Sequence, residues 1–136
     1  MLIDTNVWSE LAKPKPEQRV LDFIGENSRF CFLSTIVLSE IEYGIAKATD
    51  PAHRHRLLRW FDAIHARCED RILEPDQATA AIWGKLKASL ELRGEIIADM
   101  DLLIASQAIA AGMPLATRNV SHMERTGAII MNPWEG

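Results

Sequence analysis

Short apolar runs alternate along this chain with longer stretches in which apolar residues recur every three or four positions. The brief runs fall at 1–4, 30–34, 71–74, 114–117 and 128–131, and turn or helix signals lie beside each, so each predicts a strand. Between them Val20, Leu21 and Ile24 predict one helix, and Val37, Ile41, Ile45 and Ala48 a second. Leu57, Leu58, Phe61 and Ile64 predict a third, Ile82, Trp83, Leu86 and Leu90 a fourth, and Ala98, Ala105, Ile109 and Gly112 a fifth. Strands alternating with helices imply an α/β fold: a central parallel sheet of about five strands with helices on both faces. Lys13-Pro14-Lys15-Pro16 is expected to be a loop, because a residue before proline disfavours helix. No repeat or linker breaks the pattern, and residues 1–136 read as a single domain.

Three acidic residues are set against apolar runs. Met1-Leu2-Ile3 leads into Asp4, Ile36-Val37-Leu38 leads into Ser39-Glu40, and Asp101 opens Leu102-Leu103-Ile104-Ala105. An ionised carboxylate near a core is costly unless it is paired or holds a metal. Few basic residues stand beside these three, which suggests a shared divalent cation. In parallel sheets functional groups gather beyond the carboxyl ends of the strands. Asp4 ends the first strand and Asn119 follows the fourth, so both are expected on that rim.

At roughly 100° per residue, Asp101 shares a helix face with Ala98, Ala105, Ala108 and Gly112, and Asp99 falls off it. Either aspartate would also serve as a helix cap. Glu40 and Glu42 flank the stripe of Val37, Ile41 and Ile45 on opposite sides, and periodicity does not choose between them. Gly44 lies on the Glu40 flank, where a missing side chain would permit close approach. Asp4-Thr5-Asn6 is also good turn or cap sequence, as is Thr117-Arg118-Asn119. Glu10 reads as a surface charge within reach of the rim.

Composition narrows the class. Hydrophobic residues make up 48% and charged residues 25%, an ordinary globular balance. A formal net charge of −4 does not favour a protein living on polyanions, so nucleic-acid contact would need a local basic patch. Cys31 and Cys68 are expected to be reduced, buried thiols. With no leader-like start and no apolar stretch of spanning length, the protein is expected in the cytoplasm, away from membranes.

His53-Arg54-His55-Arg56, with Arg59 and Arg67, is the densest basic stretch and reads first as a solvated helix face. Lys13, Lys15 and Arg118 are candidates for phosphate contact beside the acids. Trp8 and Trp60 are expected in packing rather than in base stacking. His65 and Cys68 have i,i+3 spacing, but a zinc site needs more ligands than the sequence offers nearby.

In order, Asp4-Thr5-Asn6-Val7 with Ser9-Glu10, Ser39-Glu40 with Gly44, Asp101-Leu102-Leu103-Ile104-Ala105, and Leu115-Ala116-Thr117-Arg118-Asn119 resemble the motifs of PIN-domain nucleases. The likeness is to VapC toxins of toxin–antitoxin pairs, and the Asn132-Pro133-Trp134 ending looks FitB-like. Together the motifs cover essentially the whole chain. The resemblance implies a PIN-like domain with a metal site at Asp4, Glu40, Asp101 and Asn119, and it favours Glu40 over Glu42. The fourth position is often aspartate in that family, so Asn119 removes one negative charge. Asn6 would hold Asp4 by hydrogen bonds, and Thr117 would orient a ligand or water.

The implied activity is a Mg²⁺-dependent ribonuclease, with Mn²⁺ as substitute, acting as the toxin of a type II pair. The implied partners are an RNA substrate, an antitoxin of the VapB or FitA kind, and a second copy of the chain in a homodimer. Promoter DNA would be reached only through the antitoxin. Two other readings share the fold: a non-catalytic PIN-like module that binds RNA or protein, and a housekeeping RNA-processing nuclease. An aspartyl-phosphate phosphatase would want an acid two residues after Asp4, where Asn6 stands.

Overall fold

Five parallel strands of two residues each organise the fold, in a computed structural model that describes residues 1–135. They are β1 (Leu2–Ile3), β2 (Leu33–Ser34), β3 (Ile72–Leu73), β4 (Leu115–Ala116) and β5 (Ile130–Met131). Leu2 pairs with Leu115 and Leu115 with Ile130, giving a three-stranded sheet in the order β1-β4-β5. Leu33 pairs with Ile72 in a second sheet of β2 and β3. A single parallel bridge between Leu2 and Phe32 joins the two. The expected five strands are therefore present, split three and two. The split arises because the chain pairs with β1 only at Phe32, one residue before β2, and by Ser34 it is already capping a helix.

Successive residues of a strand point to opposite faces. Leu2 and Ile3 are both completely buried, as are Leu115 and Ala116, so both faces of the sheet are covered. This is why these segments read as continuous apolar runs rather than as alternating ones.

Among the described residues seven helices surround the strands: α1 (Thr5–Glu10), α2 (Gln18–Glu26), α3 (Thr35–Lys47), α4 (Pro51–Arg67), α5 (Gln77–Leu92), α6 (Asp99–Ala111) and α7 (Val120–Met123). Five match the periodic patterns. The other two, α1 and α7, are too short to show a period and follow the expected turn sequences at Asp4 and Asn119. Short 3₁₀ turns occupy Ser28–Phe30 and Glu124–Thr126.

Polar caps start several helices abruptly at strand ends. Asp4 accepts from Thr5 N to start α1, and the Ser34 hydroxyl accepts from Ile36 N to start α3. Ala105 and Ala108 of α6 are completely buried in the core around Leu2, Ile3, Trp8 and Leu33. Gly112, read in the sequence as part of that apolar face, instead ends α6 at φ 66°, where a side chain would be strained. A smaller cluster of Leu90, Ile97 and Leu102 packs with Trp83 and Leu86 between α5 and α6. Among the described residues no helix is long and apolar enough to cross a membrane. Cys31 and Cys68 are buried, and the Cys68 thiol donates to Cys31 O at 3.8 Å rather than forming a disulfide.

Candidate active site

The parallel register brings the ends of β1 and β4 together. Asp4 N donates to Ala116 O at 2.9 Å, so Thr117, one residue further on, faces the Asp4 side chain. The Thr117 hydroxyl donates to Asp4 Oδ2 at 2.7 Å, and Thr5 N donates to Asp4 Oδ1 at 2.7 Å. Asn6 Nδ2 donates to both Asp4 Oδ2 (3.3 Å) and Thr117 Oγ1 (3.1 Å). Asn119 N donates to the same Thr117 oxygen at 3.0 Å. Asn6 thus holds Asp4, as expected, and Thr117 joins both strand ends.

Two helices bring the remaining acids. Glu40, on the second turn of α3, accepts at 2.8 Å from the Thr5 hydroxyl of α1. Asp101, in the first turn of α6, accepts at 3.4 Å from Asn119 Nδ2. Asp4, Glu40 and Asp101 line one open groove of about 440 Å³, together with Thr5, Asn6, Ser9, Glu10, Lys13, Arg118 and Trp134. Asn119 braces Asp101 from beside this groove, and its amide nitrogen, rather than its oxygen, meets the carboxylate.

The competing acids are resolved by position. Asp99 is exposed and pairs with Lys87 at 2.6 Å, and Glu42 is exposed on the far side of α3. Neither α6 aspartate caps its helix, since Ala98 holds that position without a side-chain bond. Gly44 does lie near Glu40 in sequence, but a Cβ built there would meet nothing within 4 Å, so close packing is not its role.

Electrostatics mark Asp4 as the costly member. It is 4% exposed, and burial pushes its carboxyl up to about 6 from 3.8. The hydrogen bonds from Thr117 and Thr5 oppose that rise, while the charges of Asp101 and Glu40 add to it. Burial also raises Asp101, partly offset by His122. Among the described residues no basic side chain bonds to Asp4, Glu40 or Asp101. Lys13 pairs instead with Glu10 at 2.8 Å.

This oxygen-rich, negatively charged donor set fits a hard divalent cation. Among the described residues no three acidic, histidine or cysteine side chains already close around one point. Uncompensated carboxylates repel, and these are held along an open groove by Thr5, Asn6, Thr117 and Asn119 rather than drawn onto one point. Mg²⁺ tolerates such a site because it keeps several waters and takes few carboxylates.

The sequence reading put Glu10 within reach of the rim but missed its burial, and it did not assign Trp134 to the groove. Glu10, read as a surface charge, is buried, because its carboxylate accepts from Lys13 and from Glu17 N. The Lys13 hydrogen bond is the main reason its carboxyl sits below the usual range. Trp134 reaches the groove wall from the segment after β5 and carries Arg118 over its ring. The only hint of the latter was the FitB-like ending. Trp8 is fully buried and Trp60 donates to its carbonyl at 3.1 Å, so both pack, as expected. The basic residues of α4 are exposed, and His65 is stacked with Phe61 rather than joined to a metal cluster.

Comparison with known proteins identifies the family and the fold. The chain matches the PIN domain over residues 1–128. It is 33% identical to VapC ribonuclease Y4jK of Sinorhizobium fredii, across 99% of this chain and 98% of that one. The crystal structure of FitAcB from Neisseria gonorrhoeae is similar at a TM-score of 0.91, with 29% identity over 99% of each chain. DNA-bound VapBC from Salmonella typhimurium is similar at 0.84, with 28% identity over 97% of this chain and 96% of that one. The chain belongs to the PIN-domain family, among its VapC and FitB toxin members.

Proposed function

We propose that this protein is a divalent-metal-dependent ribonuclease, the toxin of a type II toxin–antitoxin pair, hydrolysing RNA phosphodiester bonds in the cytoplasm. The observation that carries the reading is the single groove lined by Asp4, Glu40 and Asp101, with no basic side chain among the described residues bonded to any of them. A buried acid raised to about 6 is a liability in a metal-free protein, and a cation offsets it. The similarity to a VapC ribonuclease supports the same reaction class.

Asp4, Glu40 and Asp101 would hold Mg²⁺, or Mn²⁺ in its place, with Asn119 contributing through Asp101 or by its own oxygen. The cation, when bound, supplies an activated water and neutralises charge at the scissile phosphate. The protein's own share is positioning. Thr117, Thr5 and Asn6 fix both oxygens of Asp4, Thr5 also fixes Glu40, and Asn119 restrains Asp101. Orienting partners of this kind typically govern metal affinity and activity by about 10–100-fold.

The proposed partners are a VapB- or FitA-like antitoxin, a second copy of the chain, and promoter DNA through the antitoxin. That the similar Salmonella VapBC is bound to DNA supports this arrangement. A non-catalytic binding module is the second reading, favoured by the neutral Asn119. Cleavage of a mixed RNA pool by Mg²⁺- or Mn²⁺-loaded protein, abolished by EDTA and restored by added metal, is the expected result. Equal cleavage after EDTA treatment would sink the metal mechanism, and binding without cleavage in either state would favour the module. Growth arrest on induction, relieved by a small neighbouring protein, separates a toxin from a housekeeping nuclease.

A further inference from the structure

A polyanion entering a groove lined by carboxylates needs cationic contacts on the same walls. Lys13 and Arg118 are the basic residues lining this one. Lys13 is engaged by Glu10. Arg118 is exposed, and among the described residues its guanidinium makes no hydrogen bond or ion pair. It lies over the Trp134 ring instead, 4.9 Å from the ring centre. Arginine held against an aromatic face keeps the N–H edge of its fork available for a phosphate.

Both halves of this stack are anchored. Arg118 N donates to Asn6 Oδ1 at 3.2 Å, which ties its backbone to the network around Asp4. On the other side, Trp134 N donates to Asn132 Oδ1 at 3.0 Å, and Trp134 O accepts from Arg19 at 3.2 Å. Glu10, the nearby acid whose charge Arg118 feels, is already occupied by Lys13 and Glu17 N. An arginine placed only to neutralise the rim would be expected to bond Glu10.

We infer that Arg118, held over the Trp134 ring at the wall of the acidic groove, binds a backbone phosphate of the RNA strand, with Trp134 as its positioning residue. The inference rests on the ribonuclease reading and assigns how that site holds its substrate. The phosphate need not be the one cleaved.

The test uses a short, unstructured, fluorescein-labelled oligoribonucleotide and the full chain with Mg²⁺. Binding is measured by anisotropy across salt concentrations on an Asp101→Asn background that does not turn over, and cleavage kinetics on the otherwise unchanged protein. Arg118→Gln is expected to weaken binding about tenfold and to lower the slope of log affinity against log salt by about one. In cleavage it should raise KM and leave kcat within about threefold, an order-of-magnitude expectation for lost uniform binding. Arg118→Lys should keep the salt slope. Trp134→Ala should weaken binding with the slope retained, and Trp134→Phe should restore it. A merely structural role would not move the salt slope. If the unaltered protein cleaves RNA and Arg118→Gln keeps both affinity and slope, the inference fails alone. If the unaltered protein cleaves no RNA with Mg²⁺ or Mn²⁺, the ribonuclease reading fails and takes the inference with it.

Discussion

The two walls of the acidic groove are built differently. On the strand side, Asp4, Asn6 and Thr117 are cross-linked by hydrogen bonds at 2.7, 3.1 and 3.3 Å, and Asp4 and Thr117 are buried. On the helix side, Glu40 and Asp101 are partly exposed, and among the described residues each has one side-chain partner, Thr5 at 2.8 Å and Asn119 at 3.4 Å. A buried, multiply bonded carboxylate keeps its geometry through a change of ligand. A singly bonded one on a helix can swing by rotamer change. The strand wall is therefore the fixed half of the site, and the helix wall the half with room to adjust to the cation and substrate of the proposed function.

Removing the charge from the fixed half should have the largest effect. Asp4→Asn is expected to lower metal-dependent cleavage by about 10³-fold, the scale of losing one preorganised electrostatic contact in an enzyme. Its metal-free thermal stability near neutral pH should not fall, because the substitution removes a buried charge. A shift from 3.8 to about 6 corresponds to about 3 kcal/mol of folding free energy, enough to offset a weakened bond to Thr117. Paired cleavage assays and thermal melts check this. A folded variant that retains cleavage, or one that melts well below the parent without metal, would contradict the assignment of Asp4 as the strained member.

The supports of the two walls should differ next. Thr117→Val keeps shape but removes the hydroxyl shared by Asp4, Asn6 and Asn119. About 10–100-fold loss of activity is expected, with weaker metal binding. Thr5→Val removes one bond to the adjustable Glu40 and leaves Thr5 N on Asp4, so a loss of about tenfold or less is expected. Side-by-side metal titrations and cleavage rates of the two variants measure the contrast. Equal losses would mean that the walls do not differ as their bonding suggests.

How far this asymmetry could be read in advance follows from where each contact comes from. Asp4 was legible because an acid directly after an apolar strand is a local signal, and the five strands and five long helices carry local periodicity. Periodicity did not separate Glu40 from Glu42, since both flank one apolar stripe; the family motif favoured Glu40, and the contact that holds it comes from Thr5, 35 residues away. Glu10 was misjudged because its burial depends on a loop folding Glu17 N back onto it. Trp134 and Arg118 meet only because β5 lies beside β4. Periodicity reports which face of an element is covered, and not which distant residue covers it.

Acid should act through the fixed wall as well. The folded-state carboxyl of Asp4 lies above its ordinary value of 3.8, so the metal-free protein is favoured below that pH and loses the margin as pH rises to about 6. A cation competes with the proton for the same oxygens. Apparent metal affinity should therefore fall about tenfold per pH unit below about 6 and level off above it. The rise in melting temperature from a fixed Mg²⁺ concentration should grow between pH 5 and 7. A shift independent of pH across that window would remove Asp4 from the ligand set.

Asn119 offers the mildest perturbation, and it acts on the adjustable wall. Its amide nitrogen donates to Asp101 at 3.4 Å, so the neutral side chain relieves an acid that burial already raises. Asn119→Asp replaces that donor with a second carboxylate facing the first. Without metal the pair repels, and a loss of about 1 kcal/mol in stability is expected for a partly exposed like-charge contact. With metal the added charge favours cation binding, and an affinity gain of about tenfold or less is expected from the same magnitude. The two effects have opposite sign, so thermal melts with and without Mg²⁺ separate them. If the variant were destabilised equally in both conditions, Asn119 would be a packing residue. If it were destabilised in neither, Asp101 would already be far enough from position 119 to swing free, and the helix wall would be looser than its single bond implies.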